Sequence, residues 1–312
     1  MRQSREHRMT SRIAVTGATG FVGRHVVQRL HASGHDVVSL SRRTGTDLAS
    51  PDPAALRDAL EGCDAVIHCA GINREIGTQT YDAIHVRGTQ AIAEAAWAAD
   101  VGHISVLSSL RARPDGPTAY HRTKWAAEAI IRDSGIPHTV LKAGVIHGRG
   151  DHMLDHLSHA LYTFPVFGLV GMRERPVRPV AVDDVARILE AAATGDERLR
   201  NQTVAVLGPD EMILGEAVRR VAHTIGRRPV YVRLPIVAHI ALARVCEAVM
   251  RVPLISVAQV HILAEGVVEA SPPAPPPPAD LTPTIPFSTE VIRAGLPEPG
   301  PFRCSDLRWW PA

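Results

Sequence analysis

A glycine-rich stretch near the start of the chain, TGATGFVG at residues 16–23, constrains the fold more than any other feature. A short apolar run before it predicts a buried strand, and helical periodicity after it predicts a helix at residues 21–30. Gly17 permits a tight turn from strand to helix, Gly20 lets the backbone approach a pyrophosphate, and Gly23 lets the helix pack closely on the sheet. Free N–H groups at the start of that helix favour phosphate. The stretch therefore predicts a dinucleotide site formed by Gly17, Thr19, Gly20, Phe21, Val22 and Gly23.

Strand and helix patterns alternate along the next part of the chain. Apolar runs predict strands at residues 36–40, 65–69, 103–107 and 139–141. Helical periodicity predicts helices at residues 53–60, 81–99 and 119–132. Such alternation is typical of α/β proteins, and it predicts a Rossmann-type doubly wound parallel sheet.

The later part of the chain alternates less regularly. Helices are expected at residues 153–164, 183–193 and 211–225, and an irregular loop at 173–179. The run SPPAPPPPAD cannot form a helix or a central strand, so an extended linker is expected there. The chain is therefore expected to divide into four parts: a flexible N-terminal tail (residues 1–11), the Rossmann core (12–145), a smaller, mainly C-terminal substrate lobe (146–270), and a Pro-rich linker with a C-terminal tail (271–312). Two segments of the substrate lobe, at about 178–182 and 203–207, are expected to return to the sheet.

Composition excludes several classes of protein. The 34 basic and 32 acidic side chains leave a net charge of +2, so no strong field attracts nucleic acid. The four cysteines form no CxxC pair, and His152, His156 and His159 have only two aspartates near them, so reduced thiols and no metal site are expected. No apolar run reaches the ~18 residues of a membrane span. Residues 236–250 predict an amphipathic helix packed on protein, and the whole predicts a cytoplasmic protein without a transmembrane segment.

The end of the second strand bears on which nucleotide is bound. An NAD site usually places a carboxylate there to hold the adenosine ribose. This chain instead has Ser41, Arg42 and Arg43, which offer a hydroxyl and two guanidiniums for a 2′-phosphate. NADP(H) is therefore the preferred cofactor, with NAD(H) as the alternative, and Asp47 is expected near the adenine.

A tyrosine and a lysine, Tyr120 and Lys124, share one face of the helix at residues 119–132, because they are four residues apart. A phenol with a pKa near ~10 is a poor acid–base group at neutral pH, and an adjacent ammonium favours its anion. The preceding strand ends at Ser108 and Ser109, whose hydroxyls are placed to hold a substrate carbonyl. This combination predicts proton transfer at an oxygen.

These motifs resemble those of the short-chain dehydrogenase/reductase superfamily, in its extended or atypical branch. The resemblance covers nearly all of residues 12–230, and within the superfamily it is greatest to the atypical group that contains the NADPH-binding accessory subunit of respiratory complex I. The matching segments are TGATGFVG (16–23), DAVIHCAG (64–71), VLSSL (106–110), AYHRTK (119–124) and AGVIHGRGD (143–151).

The resemblance implies roles for particular residues. Tyr120 would be the general acid/base, Lys124 would lower its pKa and bind the nicotinamide ribose, and Ser109 would orient the substrate. Further cofactor contacts are implied for Cys69, Ala70, Gly71 and Ser108.

Two departures from the family pattern affect the expected reaction. Extended members often have Asn in an NVxGT segment, where this chain has His85. Dehydratases place an acidic pair after the strand-end serine, where this chain has Leu110, Arg111, Ala112 and Arg113. Elimination therefore lacks its usual acid and base, which favours plain hydride transfer.

The sequence thus favours an NADP(H)-dependent oxidoreductase acting on a small-molecule carbonyl or alcohol. Two alternatives stay open: a non-catalytic NADP(H)-binding subunit or redox sensor, and an NAD(P)-dependent epimerase. Two kinds of protein partner also stay open, a second copy in a homodimer and a partner that binds the C-terminal tail.

Overall fold

A computed structural model describes residues 10–250, 254–303, 306 and 307. Most of the expected N-terminal tail, as well as Trp309 and Trp310, lies outside the described residues. The described residues form twelve strands: β1 (Arg12–Thr16), β2 (Asp36–Leu40), β3 (Ala65–His68), β4 (His103–Ser109), β5 (His138–Ala143), β6 (Ile146–His147), β7 (Val166–Val170), β8 (Pro176–Val177), β9 (Val180–Ala181), β10 (Gln202–Val206), β11 (Met212–Ile213) and β12 (Val230–Leu234).

The same residues form ten α-helices. A π-helical turn at Asp82–Arg87 leads directly into the third of them, within the single long helix expected at residues 81–99. The helices are α1 (Phe21–Ala32), α2 (Pro53–Leu60), α3 (Gly88–Ala98), α4 (Ala119–Asp133), α5 (His152–Thr163), α6 (Val182–Ala193), α7 (Leu214–Thr224), α8 (Ile236–Val249), α9 (Val257–Glu265) and α10 (Thr289–Gly295).

Six parallel strands form the central sheet, in the order β10-β5-β4-β3-β1-β2. Their register is continuous, with Ile13 of β1 paired to Val37 on one side and to Ala65 on the other. β2 lies on one side of β1, whereas β3 and the strands that follow it lie on the other side. The direction in which strands are added therefore reverses between β1 and β3. Ligands of open α/β sheets bind at the carboxyl ends of strands beside such a reversal.

Helices cover both faces of this sheet. On one face, α1 and α6 bury residues such as Val26 and Ile188 against β1. On the other, α2, α3 and α4 bury residues such as Leu60, Ile92 and Ile131. This two-sided burial explains why the strands are apolar runs without alternation. The α/β doubly wound fold expected from the sequence is confirmed.

The lobe after β5 contains three small sheets. β8 pairs antiparallel with β11, so the loop expected at residues 173–179 contains a short strand. β12 pairs parallel with β7. The segment at 178–182 was expected to return to the central sheet, but its strand β9 pairs with β6 instead, and only β10 joins the central sheet, beside β5. β6 and β9 are two residues long, too short to extend the central sheet.

The proline-rich segment packs on the body of the protein, unlike the linker expected there. The Ala205 amide on the edge strand β10 donates to the Pro275 carbonyl at 2.7 Å, and the Ser271 amide donates to the Leu110 carbonyl at 2.9 Å. Further along, Phe287 is fully buried, with its ring edge against His147. The segment therefore supplies a partner for the exposed edge of the sheet and contributes to the core of the lobe.

Candidate active site

The glycine loop has no room for side chains. Gly17 has a φ of +65°, and a Cβ added there would lie 2.9 Å from the Ala70 backbone. A Cβ at Gly23 would overlap the Gly17 carbonyl oxygen, and the Gly20 amide donates to that same oxygen at 2.8 Å. Helix α1 begins at Phe21, so the unpaired N–H groups of its first turn lie next to the glycine loop. The loop lies where the strand order reverses, and its shape fits a pyrophosphate.

A buried histidine, His68, supports the loop from below. Its Nδ1 is 2.7 Å from the Thr16 hydroxyl and its Nε2 is 3.0 Å from the Thr89 hydroxyl. The Ala70 amide also donates to the Thr16 hydroxyl, at 3.3 Å. Burial lowers the pKa of His68 to about 3, so the ring is neutral. Sequence reasoning missed this residue, because a histidine inside an apolar strand has no motif of its own.

The end of β2 is arranged as a tight turn. The Ser41 amide donates to the Thr44 hydroxyl at 2.8 Å, and residues 42–44 form a turn of 3₁₀ helix. Arg42 and Arg43 are exposed on this turn, and neither guanidinium has an ion-pair partner within the described part of the chain. Asp47 accepts from the Ala49 amide at 2.9 Å and from the Gln79 side chain at 3.1 Å. Two guanidiniums are thus available where the adenosine end of a dinucleotide would lie.

The expected acid–base group, Tyr120, is buried beside Ser109, with 9% and 8% of their surfaces exposed. Burial raises the pKa of Tyr120, and a hydrogen bond with Ser109 opposes that increase. The phenol is therefore protonated at neutral pH, whereas the sequence predicted that Lys124 would favour its anion. Desolvation is the largest cause of the increase.

Lys124 lies one helical turn from Tyr120, and its ammonium donates to the Leu107 carbonyl at 2.9 Å. Burial lowers its pKa to about 8. A Cβ added at Gly71 would lie 3.1 Å from the Lys124 Nζ, so the absence of a side chain at Gly71 leaves this ammonium accessible from the loop after β3. Cys69 and Ala70 precede Gly71 in that loop, and burial raises the pKa of the Cys69 thiol to about 12, which keeps it protonated.

Ser108, which was expected among the cofactor contacts, has its side chain in a different network. Its hydroxyl donates to the fully buried Glu128 carboxylate at 2.5 Å. Arg132 and Lys142 pair with the same carboxylate at 2.6 and 3.2 Å. Glu128 lies two turns beyond Tyr120 on α4, so both serines reach the same helix, Ser108 through Glu128 and Ser109 through Tyr120.

His85, which replaces the asparagine of the family pattern, has well-defined partners. Its Nε2 accepts from the Ile72 amide at 3.1 Å, and its Nδ1 is 3.0 Å from the Thr123 hydroxyl. Because Nε2 is an acceptor, the proton is on Nδ1. Burial holds the pKa of His85 well below its ordinary value, and the nearby Lys124 lowers it further.

Two elements of the later lobe reach this site. The centroid of the Tyr81 ring lies 5.8 Å from that of Tyr120. Burial is the main cause that raises the pKa of Tyr81, and the charge of Glu247 on α8 raises it further. The loop after β4, where dehydratases have acids, is joined to α9 through Glu265, which pairs with Arg111 at 3.1 Å and with Arg113 at 2.8 Å. Tertiary contact alone places Glu247 and Glu265 here.

Among the described residues, no group of three or more His, Cys, Asp or Glu side chains could hold a metal ion. In the histidine cluster of α5, His156 and His159 approach Asp155 at 3.9 and 3.4 Å. The described helices also include none long and apolar enough to span a membrane.

Residues 13–208 match the model of the NAD-dependent epimerase/dehydratase family. The chain belongs to this family. The resemblance to extended short-chain dehydrogenases/reductases is confirmed, and members of the family are NAD(P)-dependent oxidoreductases and epimerases. The chain is 31% identical over 238 residues to ceramide reductase of Caulobacter vibrioides, covering 72% of this chain and 73% of that protein.

Other relatives differ in length and role. The chain is 28% identical over 255 residues to an uncharacterized protein of Mycobacterium tuberculosis. The match covers 79% of this chain but only 27% of that longer protein. It is 24% identical over 237 residues to the 40 kDa subunit of NADH-ubiquinone oxidoreductase of Neurospora crassa, covering 71% and 62% of the two chains.

Solved structures share the fold. MoeE5 in complex with UDP-glucose and NAD superposes with a TM-score of 0.60 at 26% identity, covering 72% of this chain and 85% of that one. The protein gox2253 superposes with a TM-score of 0.63 at 22% identity, covering 91% and 96%. The second likeness concerns the fold alone.

Proposed function

We propose that the protein is an NADP(H)-dependent reductase that acts on a small-molecule carbonyl. The observation that carries this proposal is the phenol of Tyr120, which is buried beside Ser109 at the carboxyl end of β4 and has a raised pKa. The glycine loop follows β1 and Ser109 ends β4, so both lie at the carboxyl edge of the same parallel sheet. Its protonated form suits reduction, in which a proton must be given to the substrate oxygen.

The residues present fit a dinucleotide. The glycine loop and the start of α1 would hold the pyrophosphate, and Lys124 would bind the nicotinamide ribose. Arg42 and Arg43 would bind a 2′-phosphate, which is why NADP(H) is preferred over NAD(H). When bound, the reduced cofactor supplies the hydride that forms the new C–H bond at the carbonyl carbon.

The chain's own residues handle the oxygen and its proton. Ser109 would hold the carbonyl oxygen by a hydrogen bond, and Tyr120 would give its phenolic proton to that oxygen as the hydride reaches the carbon. His85 positions two parts of the site, because its hydrogen bonds to the Ile72 amide and the Thr123 hydroxyl connect the loop after β3 to α4. Directly after β4 the chain has Leu110 and Arg111 where dehydratases have an acidic pair, which disfavours dehydration.

The test is a panel of aldehydes and ketones with NADPH and NADH, using wild type and Tyr120→Phe. Loss of the proton donor is expected to reduce kcat by about 100-fold or more, while NADPH binding, followed by cofactor fluorescence, stays unchanged. Tyr162→Phe, a phenol of α5 bonded to Arg227 through its backbone, is the matched control and keeps wild-type turnover. Equal turnover by Tyr120→Phe refutes the catalytic proposal, and tighter binding of NADH than NADPH refutes the cofactor preference.

A second candidate is a non-catalytic nucleotide-binding subunit. The observation in its favour is the likeness to the 40 kDa subunit of NADH-ubiquinone oxidoreductase of Neurospora crassa, at 24% identity. The same experiment separates the two. A protein that binds NADPH yet oxidises it with no carbonyl of the panel would support the subunit.

A further inference from the structure

A buried pair of opposite charges lies directly behind the candidate active site. The Glu128 side chain is fully buried, the Lys142 side chain is 1% exposed, and their charged groups are 3.2 Å apart. Apolar side chains in place of such a pair are often as stable or more stable, because the cost of taking both charges out of water offsets their attraction. Net stability alone therefore does not explain this pair, and its contacts with the site bear on its role.

Glu128 joins the helix of Tyr120 to the end of β4. Tyr120, Lys124 and Glu128 are each four residues apart, so they follow one side of α4. The Ser108 hydroxyl donates to the Glu128 carboxylate at 2.5 Å, and the Lys124 ammonium donates to a carbonyl of β4 at 2.9 Å. Burial lowers the pKa of Lys124 to about 8, and the negative charge of Glu128 is among the effects that oppose this decrease. Ser108 directly precedes Ser109, so its bond to Glu128 restrains the serine that lies beside the phenol.

Lys142 holds the chain that follows Ser109. It lies on β5, next to the end of β4. Besides Glu128, its ammonium donates to the Ala112 carbonyl at 2.7 Å and to the Ser271 carbonyl at 3.1 Å. The three N–H donors of the ammonium thus have three acceptors, one each from α4, the loop after β4 and the proline-rich segment. Removal of this ammonium would release the loop that begins directly after Ser109.

We propose that Glu128 and Lys142 are positioning residues for the proton donor, Tyr120. They act through the end of β4 and the loop after it, which hold Ser109 at a fixed distance from the phenol. This inference rests on the proposed function. Carbonyl reduction needs the hydroxyls of Ser109 and Tyr120 to meet at one substrate oxygen, and small displacements of such groups lower kcat strongly. The proline-rich segment takes part in the same way, because one of its carbonyls is an acceptor of Lys142.

NMR of the full chain, with ¹³C at the tyrosine Cζ atoms, tests the proposal without a substrate, because this resonance responds to the hydrogen bonds of the phenol. Tyr120→Phe assigns the Tyr120 resonance by its loss. We expect Glu128→Gln and Lys142→Met each to shift it, and Ser108→Ala, the mildest change, to shift it less. The resonances of the tyrosines in α5 and β12 should not move. With a carbonyl that the wild type reduces, kcat of Glu128→Gln and Lys142→Met should fall by about tenfold, while the dissociation constant of NADPH stays unchanged.

The matched control is Asp184→Asn, which neutralises another buried carboxylate, 2% exposed, in α6 on the opposite face of the sheet. It should lower the urea midpoint and leave the Tyr120 resonance and kcat as in the wild type. Glu128→Gln combined with Lys142→Met leaves no fully buried charge unpaired, so its stability should recover while the Tyr120 resonance stays shifted and kcat stays low.

Two outcomes would overturn the proposal even if carbonyls are reduced. One is a Tyr120 resonance at its wild-type position in every variant. The other is a resonance and a kcat that return to wild-type values together with the stability of the double variant, since the pair would then have a structural role alone. Failure of the proposed function looks different. A protein that reduces no carbonyl, but whose Tyr120 resonance moves in the variants, would refute the reductase and still support the positioning of the phenol.

Discussion

At the scale of single residues, His85 shows how a substitution within a motif can be accommodated. The imidazole is 1% exposed and joins two elements of the site, the loop after β3 through the Ile72 amide and α4 through the Thr123 hydroxyl. The Thr123 hydroxyl in turn donates to the Ala119 carbonyl at 2.8 Å. Each of these polar groups thus has a partner, and the neutral ring needs no counter-ion.

His85→Leu should therefore reduce the free energy of unfolding by about 1–3 kcal/mol, because the buried Ile72 amide would lose its acceptor. His85→Gln, whose amide oxygen can reach the position of Nε2, should be less destabilising. Urea denaturation of both variants measures the difference. Equal stability of the leucine and glutamine variants would show that the hydrogen bond to Ile72 contributes nothing.

At the scale of elements, α6 anchors the segment after the prolines. The Asp184 carboxylate, only 2% exposed, accepts from the Thr284 and Ile285 amides, each at 3.0 Å. Arg187 donates to the Asp280 carbonyl at 2.9 Å and pairs with Asp184 at 2.8 Å. One helix face thus fixes a stretch of chain that has little regular structure of its own.

Asp184→Ala should destabilise the protein by about 2–5 kcal/mol, since it leaves two amides and a guanidinium without their acceptor. It should also expose residues 271–300 to limited proteolysis. The control is Asp280→Ala in the same segment, which breaks the exposed pair with Arg198 and should leave the melting temperature close to that of the wild type. If the two variants melt at the same temperature and resist protease equally, the segment is not anchored through Asp184.

At the scale of the whole molecule, six of the buried histidines among the described residues have a lowered pKa and are neutral at pH 7. Burial lowers the pKa of His68 to about 3 and holds that of His85 well below its ordinary value. Burial also lowers the pKa of each of four others to about 4: His103, His121, His147 and His156. In the unfolded chain, histidines take up protons near pH 6.5. Between these limits the unfolded state binds more protons than the folded one.

Stability should therefore be greatest above about pH 6.5 and fall as the pH falls towards 4, by up to about 1.4 kcal/mol per pH unit for each buried histidine. Asp151 and His25 act in the opposite direction, because burial raises the pKa of Asp151 to about 6 and the hydrogen bond with Asp183 raises that of His25, but they are two groups against six. Urea unfolding at about pH 7.5 and about pH 5 measures the loss. His147→Phe should flatten the slope, and an unchanged free energy at the lower pH would contradict the prediction.

Much of the nucleotide-binding core could be predicted because its signals are local. The glycine loop, the alternation of apolar runs with helical periodicity, and the Tyr120–Lys124 spacing depend on a few neighbouring residues. The strands and helices up to β5 accordingly lie within a few residues of the predicted ranges. In the later lobe, helices α5, α6 and α7 also lie close to their predicted ranges, but the two-residue strands and the irregular chain between them have no periodicity from which to predict them.

The sequence by itself thus determined the fold class, the site of the glycine loop and the tyrosine–lysine pair, since each follows from backbone preference and periodicity. Only the tertiary structure decided that the Ser108 hydroxyl bonds the buried Glu128, because this contact joins residues 20 positions apart in the chain. It also decided that the Tyr120 phenol is buried, which raises its pKa. Finally, it showed that the proline-rich segment covers the edge of the sheet, because burial depends on contacts between residues far apart in the chain.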